Sequence, residues 1–291
     1  MNQIEIQKKK KIALGQIIVS SVLFSTGGFL IKLVPWPALA ISGGRSLISM
    51  MGLAAYILYS GMEFRFGKKA FLQAGCMGAT LTLYVAATKM TTAANAIVLQ
   101  YVSPVFILLL GVLFLHQKPR KADWIVVAMT MCGIGLFFFE QLSTDGMIGN
   151  CLAILSGLCL ASLYLLCGEI DEDERFTGMM LGHGLTFLIG LPTMVTAELE
   201  FSPVAILGIL TLGIFQICLP YVFLAKAMNF CTPLTCNLVG VLEPLLNPVW
   251  VFFVTGEIPG TLALIGGAVI VTSVTVWCYW GDKQDKKEIQ R

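Results

Sequence analysis

Charged residues are scarce in this sequence. Only 12% of its 291 residues are Asp, Glu, Lys or Arg and only two are His, whereas 57% are hydrophobic. Because a soluble domain carries about 25% charged residues, this composition excludes an ordinary soluble protein. It indicates a chain that crosses a membrane several times.

The common motifs of catalysis and metal binding are also missing. The sequence contains no GxxxxGKS or GxxxxGKT phosphate loop, no HExxH, no GxSxG and no cluster of His, Asp or Arg suited to an enzyme of lipid-linked substrates. Nine cysteines lie scattered without a CxxC pair, and we interpret them as small apolar residues. We therefore expect no cofactor, no metal and no enzymatic activity. Because the basic runs are short, we also expect no nucleic-acid partner.

Apolar runs divide the chain into ten segments. A bilayer core of roughly 30 Å requires about 20 apolar residues per helix, and cuts at charged residues, proline and glycine leave ten segments of this kind. The sequence thus predicts an all-α membrane protein with ten transmembrane helices. The predicted spans are residues 12–33, 38–60, 69–89, 93–115, 121–140, 147–168, 177–197, 203–229, 232–254 and 260–280.

The basic residues predict the orientation of these spans. With the N-terminus in the cytoplasm, the outer side keeps only Lys32 and Lys89, both at helix ends, while the remaining loop and terminal Lys and Arg residues lie inside. Lys and Arg favour the cytoplasmic side. We therefore expect a protein of the cytoplasmic membrane with both termini in the cytoplasm.

The second half of the sequence repeats the first half at a shift of about 140 residues. The segment Ala87–Pro119 aligns without a gap with Ala227–Pro259. This predicts two five-helix units, at residues 1–143 and 144–291. Because five is an odd number, the second unit is inverted relative to the first. Inverted repeats are typical of alternating-access transporters, whose substrate site lies near the middle of the membrane.

Glu243 is the most unusual residue of the predicted spans. It lies about 11 residues into the ninth span, roughly 16 Å deep, where a charge costs at least ~2.5 kcal/mol. Pro244 and Pro248 free the carbonyls of Gly240 and Pro244, and Asn247 lies one turn from Glu243 on the same face. This patch suits a cation or a proton. The alternative is a Glu that fixes a helix contact through a hydrogen bond.

The fourth span has the same bend without the charge. Pro104 frees the carbonyl of Gln100, Tyr101 adjoins it, and Ser103 takes the position that is equivalent to Glu243. We predict that these polar groups line a substrate path. The alternative is a polar kink whose groups are satisfied by neighbouring helices.

Arg45 is the second deep charge. It lies roughly 10 Å below the outer end of the second span, near the expected level of Glu243. Either the two residues pair and are structural, or Arg45 holds a carboxylate or phosphate group. Tyr84 is a candidate cavity residue or ordinary bundle filler, and His183 is a packing residue or a proton relay.

The sequence resembles the drug/metabolite transporter superfamily, and within it the EamA-like ten-helix branch. Ala87–Pro119 is similar to the first repeat signature of that family. Ala227–Pro259 is similar to the second, including its Glu-Pro pair at Glu243, and Arg45 matches an Arg often seen early in the second helix. The resemblance implies a central cavity formed by both halves. It also implies transport of amino acids, other small metabolites or drugs, commonly outward.

The predicted function is that of a secondary transporter that exports small polar metabolites such as amino acids by alternating access. Its expected partners are a small-molecule substrate, with coupling to protons left open, and the lipid bilayer. One alternative is an exporter of hydrophobic cations or drugs, and another is a non-transporting membrane scaffold. The predicted substrate-binding residues are Glu243, Asn247, Gln100, Tyr101, Ser103, Arg45 and Tyr84.

An even number of spans places both ends of the chain on one side of the membrane. We expect that cleavable tags fused before Met1 and after Arg291 are both cut by external protease in inside-out vesicles. Neither tag should be cut in right-side-out vesicles, which serve as the control. Protection of the C-terminal tag in vesicles where the N-terminal tag is cut would contradict the ten-span prediction.

Overall fold

A computed structural model describes residues 3–27, 30–31, 34–91, 93–139, 146–255 and 261–289. Within these residues the chain is helical and contains no β-strand. The α-helices are α1 Gln3–Ser25, α2 Ala38–Tyr59, α3 Lys68–Met90, α4 Ala93–Gln100, α5 Ser103–Leu115, α6 Lys121–Phe137, α7 Met147–Gly168, α8 Glu172–Thr196, α9 Pro203–Thr211, α10 Leu219–Ala227, α11 Pro233–Gly240, α12 Leu242–Thr255 and α13 Thr261–Ile289, and a π-helical segment, Leu212–Cys218, joins α9 to α10.

Many of the described helical stretches have the length and composition of membrane spans. Seven stretches qualify by both criteria, and each coincides with a predicted span. Their outer surfaces are apolar, with Phe114 74% exposed and Val195 76% exposed, as expected for side chains that face lipid. The protein is therefore a helical, multi-pass membrane protein. The seven stretches are Ala38–Tyr59, Lys68–Thr88, Ala96–Leu115, Met147–Gly168, Glu172–Thr196, Pro203–Ala227 and Thr261–Trp280.

Two helices are interrupted just before a proline. Helix α4 ends at Gln100 and α11 ends at Gly240, and in each case a proline, Pro104 or Pro244, follows four residues later. Proline lacks an N–H, and its ring clashes with the carbonyl of the residue four positions earlier. The breaks therefore fall at equivalent positions of the internal repeat, and the predicted bends are confirmed.

A third irregularity is the π-helical segment between α9 and α10. Here the backbone N–H of Leu219 donates to the carbonyl of Ile214, five residues earlier, instead of the usual four. Pro220 follows at once and cannot donate a backbone hydrogen bond. Such widened turns often occur at functional sites, and this one contains the polar residue Gln216.

Helices of the first half pack against helices of the second half. Helix α1 packs on α10, α2 on α8, α3 on α7 and α8, and α6 on α13. A Cβ atom on Gly43 would lie 3.1 Å from the Cα of Gly190, and one on Gly266 would lie 2.5 Å from the carbonyl of Gly133. Gly43, Gly133 and Gly266 are thus close packing contacts between helices.

A buried arginine at the start of α8 ties helix ends together. Arg175 is 3% exposed. Its Nε donates to the carbonyl of Cys167 at 2.6 Å, and its Nη2 donates to the carbonyl of Ile170 at 2.9 Å. Its Nη1 donates to the carbonyl of Ala225 at 2.6 Å and to Oδ1 of Asn229 at 2.8 Å. Arg175 therefore satisfies carbonyls at the C-terminal ends of α7 and α10 that have no helical partner.

We predict that Arg175→Gln is strongly destabilising. The amide cannot reach all four acceptors, and each buried acceptor left unpaired costs about 1–3 kcal/mol. The melting temperature of the purified protein, followed by intrinsic fluorescence, should fall by several degrees or more.

Arg65→Gln is the matched control. The Arg65 side chain is 50% exposed, and it pairs with Glu63 and Asp171 at the surface, where ion pairs contribute little. The melting temperature of this variant should stay close to that of the wild type. Equal melting temperatures for the two variants would contradict the structural role of Arg175.

Candidate functional site

The two helix breaks meet inside the bundle. Tyr101 lies in the break that follows α4 and is 8% exposed. Its hydroxyl lies 3.0 Å from Oε2 of Glu243 and 3.4 Å from the carbonyl of Gly240. That carbonyl is the one that Pro244 deprives of its helical partner. The structure thus brings Tyr101 onto the patch that the sequence predicts around Glu243.

Four tyrosines lie within electrostatic range of the Glu243 carboxylate. Glu243 is half-buried and interacts electrostatically with Tyr84, Tyr101, Tyr164 and Tyr221, which come from different helices. Tyr84, a candidate cavity residue in the sequence, thus shares the electrostatic environment of Glu243 with Tyr164 and Tyr221. A carboxylate with tyrosines in its vicinity suits an ammonium group, because charge attraction and cation–π contacts can act together.

Arg45 does not form an ion pair with Glu243. It is 8% exposed and close enough to Glu243 to interact electrostatically, but within the described residues its polar contact is Nη1 donating to Oε1 of Gln216 at 3.2 Å. Its Nε is buried and has no hydrogen-bond partner there. Of the two alternatives that the sequence leaves open, the direct pair is absent. A guanidinium with free donors suits a carboxylate or phosphate group.

Gln216 holds Arg45 in place. Its Oε1 accepts from Arg45, and its Nε2 donates to the carbonyl of Phe24 at 3.2 Å, so both ends of the amide are engaged. Sequence reasoning missed this residue. The signal that identifies it is an amide in an otherwise apolar run, four residues before Pro220.

Further polar groups surround Arg45 on one face of α2. Ser42, Ser46 and Ser49 are buried, and their hydroxyls have no partner among the described residues. His183 of α8 is fully buried, packs edge-on against Tyr221 at 5.2 Å and has no hydrogen-bond partner there. Because buried polar groups are nearly always hydrogen-bonded, this cluster marks a polar region within the bundle.

Gln100 and Ser103 are engaged in helix contacts. The Nε2 of Gln100 donates to the hydroxyl of Ser156 on α7 at 2.8 Å. Ser103 is fully buried and donates to Oδ1 of Asn237 on α11 at 3.1 Å. Asn247 lies on α12, but its side chain falls outside the described residues. In the described part of the chain, no three His, Cys, Asp or Glu residues form a group that could hold a metal ion.

Comparison with known proteins identifies the family. The sequence profile of the EamA-like transporter family matches residues 11–139 and 147–278. The chain belongs to the EamA-like transporter family. This confirms the resemblance that the two repeat segments and the Glu243–Pro244 pair predict.

Relatives of this EamA-like transporter are themselves named as transporters. It is 28% identical over 200 residues to an uncharacterized transporter of Archaeoglobus fulgidus, which covers 68% of this chain and 71% of that protein. It is also 22% and 24% identical to the pseudopaline exporter CntI of two Pseudomonas aeruginosa strains, over 88% of this chain and 92% of the exporter. The family and these names indicate a transporter rather than an enzyme.

A solved structure shares the fold of this EamA-like transporter. One crystal structure superimposes with a TM-score of 0.79 over 94% of this chain and 98% of the other, at 16% sequence identity. At this identity the likeness establishes the fold alone.

Proposed function

We propose that this EamA-like transporter exports small zwitterionic metabolites, such as amino acids, by alternating access. The observation that carries the proposal is the relation between Arg45 and Glu243, two deep and opposite charges that lie near each other without forming an ion pair. Their separation leaves one cationic and one anionic group in the same polar region. A zwitterion presents the complementary pair. The likeness to a named exporter supports outward transport.

The groups around Arg45 suit a carboxylate, and those around Glu243 suit an ammonium group. Arg45 binds the substrate carboxylate through Nε, which has no protein partner among the described residues, and through the guanidinium face that Gln216 orients. Glu243 binds the substrate ammonium, with Tyr84 and Tyr101 beside it.

The remaining predicted site residues contribute hydrogen bonds at the two helix breaks. Gln100 and Ser103 exchange their present contacts with Ser156 and Asn237 for the substrate as the two halves move. Asn247 joins them from the face of Glu243.

The proposed architecture is ten transmembrane helices in two inverted repeats, residues 1–143 and 144–291. Helices α4 and α5 together form the fourth span, α9 to α10 the eighth, and α11 and α12 the ninth. The equivalent positions of the two helix breaks and the two separate matches of the family profile support this arrangement. We place the protein in the cytoplasmic membrane with both termini in the cytoplasm, on the distribution of Lys and Arg.

Coupling to protons follows from the contacts of Tyr101. When Glu243 is ionised, the Tyr101 hydroxyl donates to it. When Glu243 is protonated, its O–H donates to the Tyr101 oxygen, and Tyr101 donates to the carbonyl of Gly240. The hydrogen bond between Glu243 and Tyr101 is thus kept in both protonation states. Glu243 then binds either a proton or the substrate ammonium group, but not both. Alternating occupancy of Glu243 would therefore couple substrate export to proton import.

We predict that Glu243→Gln abolishes the pH dependence of transport while leaving the protein folded. Glutamine keeps the shape of the side chain but neither titrates nor attracts an ammonium group. In proteoliposomes that carry a pH gradient, efflux of a labelled amino acid should fall at least about tenfold, because a hydrogen bond to a charged group contributes ~1.5–3 kcal/mol.

The controls separate the proposed function from its rivals. Glu63→Gln removes an exposed carboxylate outside the site and should transport like the wild type. Unchanged pH dependence in Glu243→Gln would remove Glu243 from the mechanism. Faster transport of apolar amines than of amino acids by the wild type would favour the hydrophobic-cation alternative, and failure to transport any compound of a broad panel would favour the scaffold.

A further inference from the structure

A cavity lies apart from Arg45 and Glu243. It has a volume of about 630 Å³ and lies where α1, α6 and α11 begin and α13 nears its end. Neither Arg45 nor Glu243 contributes to its lining, and nor do Tyr84 and Tyr101. The proposed transport mechanism gives this cavity no role.

The cavity is strongly basic. It is lined by four cations and one carboxylate, a net of three positive charges: Lys10, Lys11, Lys118, Arg120 and Asp123. In the part of the chain that the structure describes, neither Lys11 nor Lys118 forms an ion pair within 4.0 Å. The first turn of α11 also lines the cavity, and the N-terminal end of a helix adds partial positive charge.

The single carboxylate is already occupied. Asp123 is 8% exposed, and its Oδ1 accepts from the indole N–H of Trp277 at 2.8 Å. Its Oδ2 accepts from the backbone N–H of Arg120 at 2.7 Å, and the Arg120 guanidinium lies 3.3 Å from Oδ1. Asp123 therefore fixes the junction of α6 with α13 and offsets Arg120. It leaves the charges of Lys11 and Lys118 for another anion.

Beside the polar residues Gln7, Gln117, Thr232 and Thr235, the rest of the lining has an apolar wall that continues to an aromatic edge. Leu14, Ile107, Leu108 and Phe230 contribute apolar surface. At the end of the cavity on α13, Tyr279 is 58% exposed and the adjacent Trp280 is 62% exposed. Exposed Trp and Tyr at the end of a membrane-spanning helix mark the membrane–water interface.

We propose that this cavity binds the headgroup of an anionic phospholipid. Its phosphate lies between Lys11 and Lys118, and its acyl chains follow the apolar wall into the bilayer. Basic pockets between transmembrane helices recognise lipid phosphates. The apolar wall and aromatic edge favour a lipid over a soluble phosphate compound, because a soluble anion leaves that surface unused. This inference goes beyond the proposed export function and does not depend on it.

The test is native mass spectrometry of the purified, full-length protein titrated with phosphatidylglycerol or phosphatidylcholine. We expect the wild type to retain phosphatidylglycerol in preference to phosphatidylcholine. The double variant Lys11→Gln/Lys118→Gln should bind phosphatidylglycerol roughly 25-fold more weakly, since each basic residue near a lipid surface contributes about a fivefold step in affinity.

The matched control changes two lysines elsewhere near the same side of the bundle. Lys68→Gln/Lys69→Gln removes the same charge from an exposed position, where Lys69 donates to the carbonyl of Glu169, and should bind phosphatidylglycerol like the wild type. Three results would overturn the proposal. Both double variants could lose phosphatidylglycerol binding equally, or Lys11→Gln/Lys118→Gln could bind it as tightly as the wild type does. The wild type could also show no preference for phosphatidylglycerol over phosphatidylcholine. Displacement of phosphatidylglycerol by millimolar glycerol 3-phosphate would assign the cavity to a soluble anion and overturn it as well.

Discussion

Two opposite charges inside one membrane bundle are stabilised without pairing with each other. A charge near the middle of a bilayer costs at least ~2.5 kcal/mol, so each needs its own compensation. Glu243 has the Tyr101 hydroxyl at 3.0 Å. Arg45 has Gln216, which the carbonyl of Phe24 holds in turn. The local structure of the core follows from these two requirements.

The irregular backbone supplies the groups that the charges require. The break after α11 leaves the Gly240 carbonyl as an acceptor for Tyr101, which itself lies in the equivalent break after α4. The π-helical segment carries Gln216 to Arg45. Non-helical backbone at membrane depth is tolerated only where it is buried in protein or lines a cavity. Each of the three irregularities contributes a group to the polar region: Tyr101, the Gly240 carbonyl and Gln216.

The sequence predicts the parts of this arrangement that depend on local chemistry. Apolar run lengths predict the spans, and Pro104 and Pro244 predict the two bends, because a proline disrupts a helix wherever it occurs. Glu243 stands out because a carboxylate in an apolar run is costly in any fold. The family resemblance adds the identity of the chain as a transporter.

The missed features depend on which helix faces meet, and spacing along one helix does not contain that information. The sequence leaves the partner of Arg45 open, and the structure supplies Gln216 from a helix 171 residues away. Ser103 is equivalent to Glu243 in the repeat but turns toward Asn237. In the sequence, nothing distinguishes Arg175 from the other basic residues. In the structure, the C-terminal ends of α7 and α10 both contact it. The roles of Asn247 and of the inverted halves stay predictions.

The central claim is that Arg45 binds the substrate carboxylate and Glu243 binds the substrate ammonium group. It is tested most directly by combining changes in the ligand with changes in the protein. Dissociation constants for an amino acid and for its decarboxylated amine are measured by titration calorimetry on the wild type and on Arg45→Gln. If Arg45 holds the carboxylate, Arg45→Gln weakens binding of the amino acid by about tenfold or more and leaves binding of the amine unchanged. Unchanged binding of the amine also shows that the variant is folded. If Arg45→Gln weakened the binding of both ligands equally, or of neither, the result would contradict separate binding sites for the two substrate charges at Arg45 and Glu243.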